Sequence, residues 1–401
     1  MMLKQRLNYF TPSQLQPSGA GLLGTTQRVE IDRTWPIEEI LVIVNCTQDG
    51  TARVVKVPDG VLGVLKKATL SINDGVQPRN VVDFTGVGLL EYAQLVGLNA
   101  DTPTLAISAI NADSVADNTN YKVAANLKYQ ICYRIPLVHP LIAEPLRTRM
   151  LLPVHTYDQN PILTLEFETA GNILGAGTLA ACTAEIVLVR RDMPTGFSDQ
   201  IVKAGGFIPF DLVETPIAVP LSTAAEQRFS VPTPGSYMNL LFRHYLGGST
   251  VTRAPIDSPT FGSEGRWRLE TGGSVIREWR WKHLQIINDF SNARQAQRTA
   301  NVDASPAQYA KITDFLGGLP GSVAANTSFK PAAACLLEFL SDGLDSANEL
   351  GSVLDANLPT QSGLKVEVIG TPASVGTNAS VLYIGGHRLF GDLSKWQAVR
   401  A

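Results

Sequence analysis

Charge is what this chain is short of. Asp, Glu, Lys and Arg make up 17% of its 401 residues, and the two signs nearly cancel to a net −3. An ordinary soluble domain carries about 25%. With no excess of positive charge there is no field to hold a phosphate backbone, so no direct nucleic-acid partner is expected. Cysteine is scarce as well. Cys46, Cys132, Cys182 and Cys335 stand singly, and the lack of a C-x-x-C pair argues against zinc knuckles and thioredoxin-like sites. They read as reduced thiols acting as small apolar residues. Long apolar runs are also missing. The nearest, GNILGAGTLAACTAEIVLV at 171–189, is broken by Asn172, Thr183, Glu185 and three glycines, so it reads as a loop and a strand. The first residues, MMLKQRLNYFTPSQLQPSG, have Lys4 and Arg6 but no apolar run behind them, so a soluble chain without an export signal is expected.

Catalytic signals are lacking too. Residues 19–24 spell GAGLLG, a literal G-x-G-x-x-G. A phosphate-binding turn needs a strand before it and a helix after it, and neither is expected here, so it reads as a flexible glycine stretch. His139, His155, His244, His283 and His387 never fall at metal-ligand spacing, and no G-x-S-x-G elbow occurs. No pair of carboxylates stands out as an acid and a base. The expectation is a protein that is not an enzyme, with no catalytic residue, cofactor or metal ligand.

What the chain has in quantity is itself, twice. QRVEI at 27–31 returns as QRFSV at 227–231. LSINDGVQPR (70–79) is echoed by LETGGSVIR (269–277), matching Leu70 with Leu269 and Arg79 with Arg277. PILTLEFETAGNILGAG (161–177) is echoed by GLKVEVIGTPASVGTNA (363–379), with Glu166 against Glu367. AEIVLVRR and SVLYIGGHR close the two series, with Arg190 against Arg388. Collinear matches at a steady offset of about 200 residues indicate duplication of a whole domain. After each glycine turn a helix is expected. In the first copy Leu89, Tyr92 and Val96 share a face; in the second Ile276, Trp279, His283, Ile287 and Phe290 do.

The rest reads as short alternating strands bounded by Gly, Pro, Asn and Asp. Candidates are 27–32, 38–46, 51–57, 67–73, 104–110, 122–135, 161–168 and 184–191, then 207–213, 226–231, 236–246, 266–271, 332–340, 364–369 and 380–386. About eight per copy predicts an all-β chain of two tandem eight-stranded jelly-roll β-barrels, a double jelly roll, with helical loop insertions. The expected divisions are an N-terminal arm at 1–24, a first jelly roll at 25–193, a linker at 194–204, a second jelly roll at 205–390 and a tail at 391–401.

One segment invites a binding role. RWRLETGGSVIREWRWKH (266–283) interleaves four arginines and a lysine with three tryptophans. Such a mix can clamp single-stranded nucleic acid, but Trp and Arg also anchor protein interfaces. With the net charge slightly negative, Arg277, Arg280, Trp281 and Lys282 are expected at a subunit interface, with Trp279 packed beneath the helix.

The paired strand–turn–helix units at 67–97 and 266–290 and the paired terminal strands at 161–191 and 364–388 resemble the double jelly-roll major capsid proteins of the tectivirus and adenovirus-hexon lineage. NLKYQICYRIPLVHP (126–140) and GAGTLAACTAEIVLVRRDMP share a looser likeness to the tectivirus type. The resemblance implies a structural virion protein, as in a bacteriophage, made in the host cytoplasm. It implies a homotrimer forming a pseudo-hexagonal capsomer of an icosahedral shell. Neighbouring capsomers, penton and minor capsid proteins would be its partners. It also implies an N-terminal arm beneath the shell, so Met1, Leu3, Lys4, Arg6, Leu7, Tyr9 and Phe10 are expected to touch an internal membrane or a neighbouring capsomer. The alternative is a double jelly-roll glycan-processing or carbohydrate-binding protein, with Trp35, Trp267 and Trp281 as sugar platforms. It would need an acidic pair in a cleft.

Overall fold

The computed structural model describes residues 5–10, 21–55, 63–73, 78–96, 107–109, 127–140, 142, 146–193, 196–203, 206–219, 226–231, 236–246, 252–253, 266–271, 274–280, 334–339, 354–355, 365–369 and 380–390. The first domain begins with β1 (Gln5–Phe10), β2 (Thr26–Glu30), β3 (Ile37–Val55), β4 (Leu65–Asn73) and β5 (Pro78–Thr85). Helix α1 (Gly86–Leu95) and a short extra strand β6 (Ile107–Ala109) follow. Then come β7 (Leu127–Pro136), α2 (Leu146–Arg149), β8 (Ile162–Phe167), α3 (Ala170–Ile173) and β9 (Leu174–Arg191). With β6 set aside, the strands take the letters B to I in chain order. One sheet runs β1-β9-β3-β7-β6, that is B-I-D-G with β6 at its edge; the other places β2-β8-β4-β5 in the order C-H-E-F. That order is the jelly roll.

Alternation produces it. In β8, ILTLEF, Leu163, Leu165 and Phe167 are buried while Ile162, Thr164 and Glu166 are half-exposed. In β4, Leu65, Ala68, Leu70 and Ile72 point inward. Each inward leucine-sized side chain contributes about 1.5–3 kcal/mol of burial.

After α4 (Phe197–Lys203) the pattern is written again in β10 (Phe210–Val219), β11 (Glu226–Ser230), β12 (Ser236–Tyr237), β13 (Asn239–Leu246), β14 (Thr252–Arg253), β15 (Arg266–Thr271) and β16 (Ser274–Arg280). It ends in β17 (Ala334–Glu338), β18 (Leu354–Asp355), β19 (Lys365–Ile369) and β20 (Ser380–Leu389). Strands β10-β20-β13-β17 are again B-I-D-G, and β11-β19-β15-β16 are again C-H-E-F. Even an irregularity repeats. The E–F ladder has a bulge between Leu70 and Ser71 in the first barrel, and between Leu269 and Glu270 in the second.

The register corrects two of the sequence matches. With Leu70 on Leu269, Arg277 takes the place of Val82, not of Arg79, because the second hairpin is shorter. Glu367 takes the place of Thr164, two residues before Glu166. A shift of two preserves the alternation of a strand, so the sequence match kept the period and missed the position.

Three further expectations change. Residues 5–10 are not an arm: β1 pairs with β9 from Gln5↔Arg191 to Phe10↔Ile186, so the first barrel begins with strand B at Gln5 rather than at residue 25. The candidates 38–46 and 51–57 are one strand, β3, and residues 78–85, not expected as a strand, form β5. The helix expected from Ile276 is strand β16 up to Arg280; His283, Ile287 and Phe290 lie outside the described residues. IREWRW fits a two-residue period as well as a helical one, and the hairpin turn before it supplies a partner, β15. Trp279 therefore packs inside the second barrel, 5.9 Å from Phe242, rather than under a helix.

The barrels share a sheet. C-H-E-F of the first joins B-I-D-G of the second through β5 and β10, making an 11-stranded sheet with β12, β14 and β18 attached. The second barrel has its own core of Phe229, Leu240, Phe242, Trp267, Leu269, Leu382 and Ile384. The alternate residues of the same strands, Leu241 and Leu336, belong to the first barrel's core. Strand β13 is buried on both faces, which is why Leu240, Leu241 and Phe242 run on without the polar alternation of a half-wet strand. Helix α1 fills the space outside it. Val87, Leu89, Leu90, Glu91, Tyr92, Ala93 and Leu95 are all buried, so among its described side chains the helix shows no solvent face and is not the amphipathic helix its spacing suggested.

Candidate assembly site at the seam between the barrels

Strand β5, the F edge of the first barrel, runs parallel to β10, the B edge of the second. Val82 stands opposite Leu212 and Asp83 opposite Val213. A ladder of two steps cannot lock two domains, since a hydrogen bond contributes about 1 kcal/mol net. Buried side chains hold the rest.

Glu214, on β10, turns back to β5. It accepts from the Thr85 amide at 3.2 Å and from the Thr85 hydroxyl at 2.6 Å. Thr85 also caps α1, its Oγ1 accepting the Gly88 N–H at 3.1 Å. From β13, Arg243 donates through Nε to Glu214 at 2.7 Å and through Nη2 to Thr85 Oγ1 at 2.6 Å. Its Nε also lies 3.5 Å from Glu91 Oε2 on α1, and its guanidinium stacks 4.6 Å from the centre of the Tyr383 ring. Arg243, Glu214 and Glu91 are each at most 2% exposed at the side chain. One guanidinium thus serves two buried carboxylates drawn from both barrels. Gly88 is required here: a Cβ on it would come within 2.8 Å of both Glu214 carboxylate oxygens.

One turn further along α1 lies a second polar group. The Asn239 amide donates to Tyr92 Oη at 2.8 Å and to His139 Nε2 at 2.8 Å. Its Oδ1 accepts the His387 backbone N–H at 3.1 Å, which fixes which end of the amide is oxygen. Tyr92 Oη, having accepted from Asn239, donates to His387 Nδ1 at 2.7 Å. Glu338 approaches His139 Nε2 at 3.5 Å. Tyr92, His139, Asn239 and His387 are fully buried, so this tyrosine–histidine pair is closed to a substrate. Its role is to tie α1 and the segment that follows β7 to β13 and β20.

Burial, reinforced by His139, holds the His387 imidazole well below its ordinary pKa, and burial pushes the Tyr92 hydroxyl up. Unfolding releases His387 to water, where it takes up a proton. Stability is therefore expected to fall as the pH drops below 6.5, the ordinary imidazole value, and to go on falling until the folded state also protonates. Urea unfolding at a series of pH values checks this. His387→Gln should flatten the acid limb, and an unchanged limb would remove His387 as its source.

The expected site residues fall on two strand edges. Arg6, Leu7, Tyr9 and Phe10 are on β1, opposite Arg190, Val189, Val187 and Ile186. Arg277 and Arg280 are on β16, opposite Leu269 and Arg266, with Arg280 exposed. Met1, Leu3, Lys4, Trp281 and Lys282 lie outside the described residues. The seam residues were missed. In sequence His139 and His387 fall at no ligand spacing, yet their rings lie 5.7 Å apart. A usable signal was Asn239, a polar residue inside the apolar run MNLLF. Cys46 and Cys182, scattered in sequence, face each other across β3 and β9 with sulfurs 3.7 Å apart, and both are free thiols. That contact and burial push the Cys46 thiol well above its ordinary range. Among the described residues no cluster of three or more His, Cys, Asp or Glu is placed to hold a metal, and no helix is long and apolar enough to cross a membrane.

No protein-family model matches this chain, and no curated protein matches its sequence. Solved structures do match its shape. The STIV MCP superimposes with a TM-score of 0.59 at 13% identity, over 99% of this chain and 100% of that one. A chain of the Sulfolobus Turreted Icosahedral Virus atomic structure gives 0.59 at 12% identity, over 96% and 90%. The Faustovirus major capsid protein gives 0.51 at 9% identity, over 98% and 91%. At this identity what is shared is architecture, and the chain has the double jelly-roll fold seen in these capsid proteins.

Proposed function

We propose that this chain is a major capsid protein, a structural subunit that closes as a homotrimer into a pseudo-hexagonal capsomer of an icosahedral virion shell. One observation carries the reading: two barrels of the same connectivity lie in one chain, joined F edge to B edge. Three copies then present six similar bodies to a ring, so threefold symmetry imitates sixfold symmetry and each tile meets its neighbours through near-equivalent contacts. A seam rigid enough to keep that geometry is what the buried Arg243 and Asn239 groups provide. Hexagonal tiles pave a plane, so closing a shell calls for penton and minor capsid proteins beside the neighbouring capsomers.

Light scattering of the purified protein is expected to give three times the 43.2 kDa chain mass, and electron-microscope class averages should show six lobes. A stable monomer would overturn the reading. The lipid contact, now resting on Met1, Leu3 and Lys4 ahead of β1, is measured on the same preparation. Flotation with anionic vesicles should weaken when residues 1–4 are removed, and equal flotation would take lipid out of the partners.

A further inference from the structure

Inside the chain, strand F of the first barrel is joined to strand B of the second. The other two strands of those letters lie at the far ends. Among the described residues β1, B of the first barrel, pairs with β9, and β16, F of the second, pairs with β15. Both hold the register of their joined counterparts. Matching the bulges puts Arg277 and Glu278 where Val82 and Asp83 stand. Matching Arg190 with Arg388 puts Leu7 and Asn8 where Leu212 and Val213 stand. We propose that β16 of one copy lies parallel to β1 of the next, Arg277 beside Leu7 and Glu278 beside Asn8, and that this contact closes after three copies. The inference rests on the shell reading and names the surface that builds the trimer.

Three observations support it. Among the described residues each of these strands has a neighbour on one side only, an arrangement that templates pairing with another chain, and the β5–β10 joint shows that an F edge and a B edge of this fold fit each other. Val275 on β16 is one of two large apolar side chains exposed among the described residues, at 49%, where β5 has Asn80. The sheet beside β1 is also less well covered. Leu41 and Ile43 on its outer face are half-buried, whereas Leu241, which stands where Leu41 does, is fully buried against the first barrel's core. The contact is heterologous, so it must either close or grow without limit.

The test places cysteines at Asn8→Cys and Glu278→Cys in one chain and adds a short bis-maleimide. Denaturing gels should show covalent dimers and trimers with the trimer as the largest product. Neither single variant nor the parent, whose native thiols set the background, should give the trimer. If this pair does not fold, as judged by circular dichroism, Leu7→Cys with Arg277→Cys reads the same contact. Trimers by light scattering that do not cross-link would overturn this edge pairing and leave the shell reading standing. A monomer before the reagent is added would overturn both, and products longer than three chains would overturn closure.

Discussion

Replacing Arg243 by alanine is expected to cost about 3–5 kcal/mol of folding stability, the range for breaking a buried charge pair by removing one partner. The guanidinium is 2% exposed and reaches both Glu214 and Glu91, so its removal takes a cation away from two buried carboxylates. Most of the loss is the uncompensated burial of those charges, not the missing attraction. Adding Glu214→Gln to Arg243→Ala should therefore recover a substantial part, because one of the stranded charges goes. Urea unfolding of the two single variants and the double variant supplies the cycle. A loss below about 1 kcal/mol for Arg243→Ala, the level of an exposed pair, would show that the group is hydrated and does not lock the seam.

Asn239→Ala comes next, at about 3 kcal/mol or more. Three buried groups depend on this amide: Tyr92 Oη and His139 Nε2 as acceptors, and the His387 N–H as a donor. Each orphaned group costs about 1–3 kcal/mol. Tyr92→Phe should cost less, since it removes one member and leaves the Asn239 contacts to His139 and His387. Because the group ties α1 to β13 and β20, the Asn239 variant is also expected to split unfolding into two transitions, one per barrel. Coincident transitions by fluorescence and circular dichroism would mean that the barrels stay coupled without it.

Fold class was legible wherever a strand has one wet face. LTLEF in β8 alternates cleanly, and its echo LKVEV in β19 could be found by eye. The edge strands were harder. β1 is short, and nothing local distinguishes QRLNYF from a terminal arm, because its partner β9 lies 180 residues away. β16 offers a helical and an extended period at once, and the turn before it decides. The seam was the least legible part. Arg243, Glu214, Glu91, Asn239 and His387 come from four elements spread over 297 residues, so no spacing rule joins them.

The sequence by itself determined the repetition, the inward and outward faces of most strands, and the absence of signals for chemistry. Those follow from local alternation and from two copies that can be laid side by side. Only the tertiary structure decided that the copies are joined F edge to B edge, that the described side chains of α1 are all buried, and that β1 closes a sheet. Edge pairing and two-sided burial depend on what lies across the interface, and that is a property of position in space, not of neighbours along the chain.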